Sequence, residues 1–116
     1  MLPATTQNPL WRRPTSWWVE GHKFVEEMGR QPYDLGEYVA WSQERQSRAL
    51  CAIVRSCKDR FPSCGGIILW MGHDCFPCAA NTSLIDFEGS PKAAALALRE
   101  IWRRPESMAD GRETRE

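Results

Sequence analysis

An excess of charge of either sign is the first thing missing from this sequence. Fifteen Lys and Arg side chains face fifteen Asp and Glu, so the formal net charge is zero. That removes the electrostatic reason to expect nucleic acid or an anionic membrane as partner. Long apolar runs are missing as well, and no stretch approaches the length of a membrane span. The N-terminal residues, MLPATTQNPLWRRPTSWW, lack the basic start and apolar centre of a secretory signal, so export is not indicated. An even cysteine count is also lacking. Five cysteines without a signal favour free thiols in a reducing compartment over a disulfide framework, which points to the cytoplasm. No internal repeat is visible, and glutamate does not occur in residues 1–19.

What is present is a chain of 116 residues with 42% hydrophobic content, the size of one small domain with enough apolar material to bury a core. Residues 1–16, with Pro3 and Pro14, read as an irregular lead-in. Residues 17–104 form the body. Residues 105–116 have almost nothing to bury and read as a disordered tail or linker. Within the body a short helix is expected over 17–28, capped by Thr15 or Ser16 and stopped by Gly29.

A long helix should follow, from Asp34 to about Arg60. Asp34 can accept from first-turn N–H groups while Glu37 reaches back to it, an acidic variant of the capping box. Leu35, Tyr38, Val39, Ala49, Leu50, Ile53, Val54 and Cys57 keep the helical period, and Pro62 stops the helix. Glu44 and Arg48 pair at i,i+4 on the wet face. Ser42, Gln43 and Gln46 interrupt the apolar stripe and read as hydrogen-bonding groups directed at a neighbouring strand.

The stretch around which the rest is organised is residues 64–92. It opens on Gly65-Gly66 and the apolar run Ile67-Ile68-Leu69-Trp70, then turns polar at Gly72, His73 and Asp74. Bulky residues that give way to polar ones at one end describe a buried parallel strand opening into a site. A loop with Cys75, Pro77 and Cys78 follows. Ser90 and Pro91 then suit the cap and first position of a last helix, whose buried face is Ala94, Ala95, Leu98, Ile101 and Trp102.

Cys75-Phe76-Pro77-Cys78 is a C-x-x-C, and Cys64 and His73 bring the potential zinc ligands to four. About nine strand residues at roughly 3.3 Å each would hold Cys64 and His73 too far apart for one ion. Pro77 also argues against a thioredoxin-like helix start. No metal and no cofactor is therefore assigned.

The order of these anchors resembles the beta-mannosidase-like branch of glycoside hydrolase family 2. That branch reads, in outline, G-G-x-x-x-W-Q-x-N-D-x-W-P, then a serine-rich segment, then I-D-Y-x-G-x-P-K and an alanine-rich helix. Here the same order is carried by Gly65-Gly66, by Trp70 through Pro77, and by Ile85-Asp86-Phe87-Glu88-Gly89-Ser90-Pro91-Lys92. His22-Lys23 matches a histidine-lysine pair of the family, although on the residues alone His22 reads first as a helix-surface residue. Met71, His73, Phe76 and Asn81 stand where the branch has glutamine, asparagine, tryptophan and, nearby, a second tryptophan. The resemblance therefore assigns a class of sugar and not a particular one.

The resemblance implies an α/β fold, the C-terminal portion of a (β/α)8 TIM barrel. A complete barrel takes roughly 250 residues, so the barrel is incomplete in this chain. It implies a fragment of a retaining hydrolase of terminal beta-mannosides or related beta-glycosides in carbohydrate catabolism. The partners implied are the carbohydrate substrate, the remainder of the barrel and accessory β-sandwich domains. Trp70 is implied as the indole that packs on the sugar, with His73 and Asp74 beside it as substrate-binding residues. No S-E-F-G-like nucleophile motif occurs, and Glu20, Glu26 and Glu27 fall on a helix and not at a strand end, so no catalytic residue is assigned. On the residues alone, Trp70 could instead be core and Asp74 a loop-capping acid. A small self-contained α/β binding module with a Cys/His metal or redox site is the alternative for the whole chain.

Overall fold

The computed structural model describes residues 21–77 and 81–103. The lead-in, the tail, Cys78, Trp11, Trp17 and Trp18 lie outside the described residues. The elements are α1 (Gly21–Met28), α2 (Leu35–Lys58) and α3 (Ala93–Arg103). Among the described residues there is no strand, only two isolated bridges, His73 to Ile85 and Ile85 to Pro91. None of the described helices is long and apolar enough to cross a membrane.

The α/β expectation, a C-terminal portion of a (β/α)8 TIM barrel, is thus corrected: the described chain is all-α. The physical reason lies in residues 67–70. Their exposure alternates, Ile67 and Leu69 packing inward while Ile68 is 96% and Trp70 80% exposed, as along an extended chain. A strand also needs a neighbour to complete its backbone ladder, and none is present among the described residues. The apolar run expected to be buried on both faces is buried on one.

Helix α1 buries Phe24 against α2, where Tyr38 and Trp41 complete an aromatic cluster with ring centroids 5.2 to 6.0 Å apart. Polar contacts fix the crossing of these helices. Glu27 accepts from Trp41 Nε1 at 2.8 Å and from Arg45, with Arg48 alongside at 3.7 Å. Arg30 lies 3.7 Å over the Tyr33 ring and forks onto the Glu37 carboxylate. Gly29, at φ 69°, ends α1 in the left-handed conformation that glycine adopts most readily.

Asp34 caps α2, accepting from the Glu37 N–H at 2.8 Å. The reciprocal arm of the capping box reaches one residue further back than expected. Glu37 accepts from the Tyr33 N–H at 2.7 Å and not from Asp34. Arg30 and the Tyr33 N–H together hold the Glu37 carboxyl down at about 2.

The main core lies between α2 and α3. Cys51, Val54, Leu98 and Ile101 are buried there, and Leu50, Ile67, Leu69, Leu84 and Ala97 pack around them. Burying a side chain such as Leu98 fully contributes about 1.5–3 kcal/mol relative to exposure. Lys58 donates to the Ile101 carbonyl at 3.1 Å and so satisfies one of the last acceptors of α3. Trp102, expected on the buried face of α3, is 48% exposed. The start of α3 differs as well. Lys92, not Ser90, opens it, its carbonyl accepting from Ala95 and Leu96, because Ser90 and Pro91 are drawn into the loop described next.

Candidate functional site

The loops between Trp70 and α3 form a small knot with Ile85 at its centre. Gly72 O accepts from the N–H groups of Leu84 and Ile85 at 3.2 and 2.9 Å, and Asp74 N–H donates to Ile85 O at 3.0 Å. On the other side Asp86 N–H donates to Ser90 O and Lys92 N–H to Leu84 O, each at 2.9 Å. The turn between them is held by Asp86, whose Oδ1 accepts from the N–H groups of Glu88 and Ser90. Gly89 completes that turn at φ 88°.

Inside this knot sits Asp74, 4% exposed. Its Oδ1 accepts from Ser83 Oγ at 2.6 Å and from the Asn81 amide, and its Oδ2 accepts from Lys92 Nζ at 2.8 Å. Lys92 also donates to Ser83 Oγ at 2.6 Å. The cluster closes on itself: a buried anion, a half-buried cation and a fully buried hydroxyl satisfy one another. Burial alone would raise the Asp74 carboxyl, but the bonds from Lys92, Ser83 and Asn81 outweigh it and hold the group below the usual carboxylate range. Gln46 of α2 ties the same loop down, donating to Thr82 O at 2.8 Å and to Ser83 O at 3.4 Å. The interruption in the α2 stripe therefore does serve a hydrogen bond, directed at a loop and not at a strand.

Trp70 stands outside the knot. Its indole is 80% exposed, while its backbone carbonyl accepts from Thr82 Oγ1 at 3.3 Å. Met71, next in sequence, has φ 64°, a left-handed conformation that costs a side-chain-bearing residue of order 1–3 kcal/mol. This turn separates the apolar run from the knot, with Trp70 on its outer side. His73 is exposed, bridged to Ile85 through its backbone. Of the three residues singled out from the sequence, Trp70 and His73 thus face solvent at the edge of the knot and Asp74 lies within it.

Ser83 and Lys92, the partners of Asp74, were not singled out as site residues from the sequence. A signal for one of them exists. Asn81 and Ser83 alternate around Thr82, the spacing that places two side chains on one side of an extended chain. Lys92 has no comparable mark, being one lysine before an alanine-rich helix.

Cys75 is exposed, and Cys78, the second cysteine of the C-x-x-C, lies outside the described residues. Among the described residues no three His, Cys, Asp or Glu side chains stand together as a metal site. His22 is exposed on α1, and the carboxylate of Glu27 is engaged by α2. No family model, no curated protein and no solved structure matches the chain.

Proposed function

We propose that this chain forms one wall of the sugar subsite of a retaining glycoside hydrolase that acts on terminal beta-mannosides or related beta-glycosides. The observation that carries this reading is the indole of Trp70, 80% exposed yet fixed at its root by Thr82 and by the knot behind it. An exposed tryptophan on a positioned backbone offers a flat apolar face to the C–H bonds of a sugar ring, with an N–H at its edge for a hydroxyl. Ile68, 96% exposed, leaves the chain on the same side as Trp70, which suits a wall completed by neighbouring polypeptide.

In this reading Trp70 stacks on the sugar and His73, exposed beside it, meets hydroxyl groups. Asp74 acts through position: its carboxylate is occupied by Asn81, Ser83 and Lys92, and it holds the loop that carries His73. Retaining hydrolysis proceeds by double displacement between two carboxyl groups roughly 5–5.5 Å apart. Those groups, together with the rest of the subsite and accessory β-sandwich domains, belong to other parts of the enzyme. This chain supplies binding and no cofactor.

Saturation-transfer NMR with methyl beta-mannoside tests the reading. Transfer to the ring protons of one sugar face is expected for the wild-type chain and is lost in Trp70→Ala. Equal transfer in both proteins, or none in either, would remove Trp70 as the sugar platform.

A further inference from the structure

Gln46 breaks the apolar stripe of α2, and its bonds lead, through one further residue, to the backbone of Trp70. The side chain is 3% exposed, and its amide donates to two successive carbonyls of the facing loop, Thr82 O at 2.8 Å and Ser83 O at 3.4 Å. An amide has two N–H donors, so each carbonyl can take one, and the backbone of residues 82 and 83 is fixed against the helix. Thr82 is held from its other side as well. Its N–H donates to Asn81 Oδ1 at 2.8 Å, and the Asn81 amide donates in turn to the buried Asp74. With both backbone groups of Thr82 engaged, its hydroxyl has a set place, from which Oγ1 donates to Trp70 O at 3.3 Å. That carbonyl lies in the planar peptide joining Trp70 to Met71. Holding it holds Met71 at φ 64°, a left-handed conformation that persists only where its surroundings over-determine it. Trp70 itself is 80% exposed, so packing does little to orient its ring and the backbone must do so.

We propose that Gln46 and Thr82 are positioning residues for Trp70, a relay that aims the indole from the buried side of α2; it rests on the reading of Trp70 as a sugar platform. Gln46 places Thr82, Thr82 holds the peptide after Trp70, and the indole leaves the chain in one direction before a sugar arrives. Leu69, packed on the core between α2 and α3, anchors the chain before Trp70, and Gly72 O, accepting from the Leu84 and Ile85 N–H groups, anchors it after Met71. The peptide between these anchors is the one that the relay fixes. Neither relay residue touches the sugar. Their contribution is to order the platform in advance, which removes the cost of ordering it on binding.

The full chain is measured by nitrogen-15 relaxation without ligand and then titrated with methyl beta-mannoside. The Met71 N–H shares its peptide plane with the Trp70 carbonyl and so reports the relay directly. Its order parameter, about 0.85 in the wild-type chain, should fall below about 0.6 in Thr82→Val and in Gln46→Met, and should be kept in Thr82→Ser, which retains the hydroxyl. Ile101→Val, which weakens the core between α2 and α3 without touching the relay, should leave it unchanged. The dissociation constant for methyl beta-mannoside should rise at least about threefold in Thr82→Val and in Gln46→Met. Because the two residues act in series, Gln46→Met/Thr82→Val should bind no more weakly than Thr82→Val alone. A wild-type chain without saturable binding would overturn the sugar reading and this proposal with it. A wild-type chain that binds would overturn the relay alone if Met71 order or affinity is unchanged in Thr82→Val, if Thr82→Ser does not retain them, or if the losses add in the double variant.

Discussion

Replacing Lys92 by methionine removes the cation from the knot and leaves the rest of the side-chain volume nearly intact. The side chains of Asp74 and Lys92 are only 5% and 13% exposed, so the remaining carboxylate cannot recover its hydration by turning outward. Ser83 and Asn81 still donate to it, but the compensating charge is gone. Breaking a buried pair of this kind costs about 3–5 kcal/mol, against at most about 1 kcal/mol for an exposed pair. Urea unfolding followed by far-ultraviolet circular dichroism measures the loss. The variant Asp74→Asn/Lys92→Met, which has no buried charge to strand, should be more stable than Lys92→Met alone. The pH dependence carries the same signature. Because the Asp74 carboxyl is held below its unfolded value near about 4, its contribution is complete above that pH. It is then lost as the pH falls through the lower folded value. A Lys92→Met loss below about 1 kcal/mol, or a double variant no more stable than the single, would refute the idea that this pair holds the loops to α3.

Other consequences can be measured on the same chain. Leu98→Ala, at a position 1% exposed between α2 and α3, should cost about 2–5 kcal/mol in the same urea experiment. Trp70→Ala should leave stability within about 0.5 kcal/mol, since the residue is 80% exposed, and this separates the binding role proposed for it from any structural one. NMR titration should find the Glu37 carboxyl at about 2, returning toward the ordinary value in Arg30→Ala. The stabilising contribution of Glu37 is accordingly present above the unfolded carboxyl value and disappears only as the pH falls toward about 2.

The helices were legible because each carries its own local signal. Asp34, the α2 stripe and the Pro62 stop fixed that helix to within a few residues of Leu35–Lys58. Gly29 marked the end of α1, and the alanines marked the body of α3. Strand formation has no such local signal. Ile67 to Trp70 have the composition of a strand, but pairing is a property of the neighbour, and the run lies against the helices with one side open. The knot was half legible for a related reason. Asp74 is conspicuous as the acid that follows an apolar run, but its partner Lys92 is eighteen positions away and is brought to it only by the Ile85 bridges. The start of α3 was misread because Ser90 and Pro91 satisfy the rules for a helix start while Asp86 and Ile85 compete for them.

The central claim is that the Trp70 indole is a sugar platform. Fluorine NMR of the chain labelled with fluorotryptophan tests it most directly, with the Trp70 resonance assigned by its disappearance in Trp70→Phe. On titration with methyl beta-mannoside, that resonance should shift in a saturable manner while the other tryptophan resonances stay in place. A Trp70 resonance that does not move, or that moves no more than the others, would contradict the account.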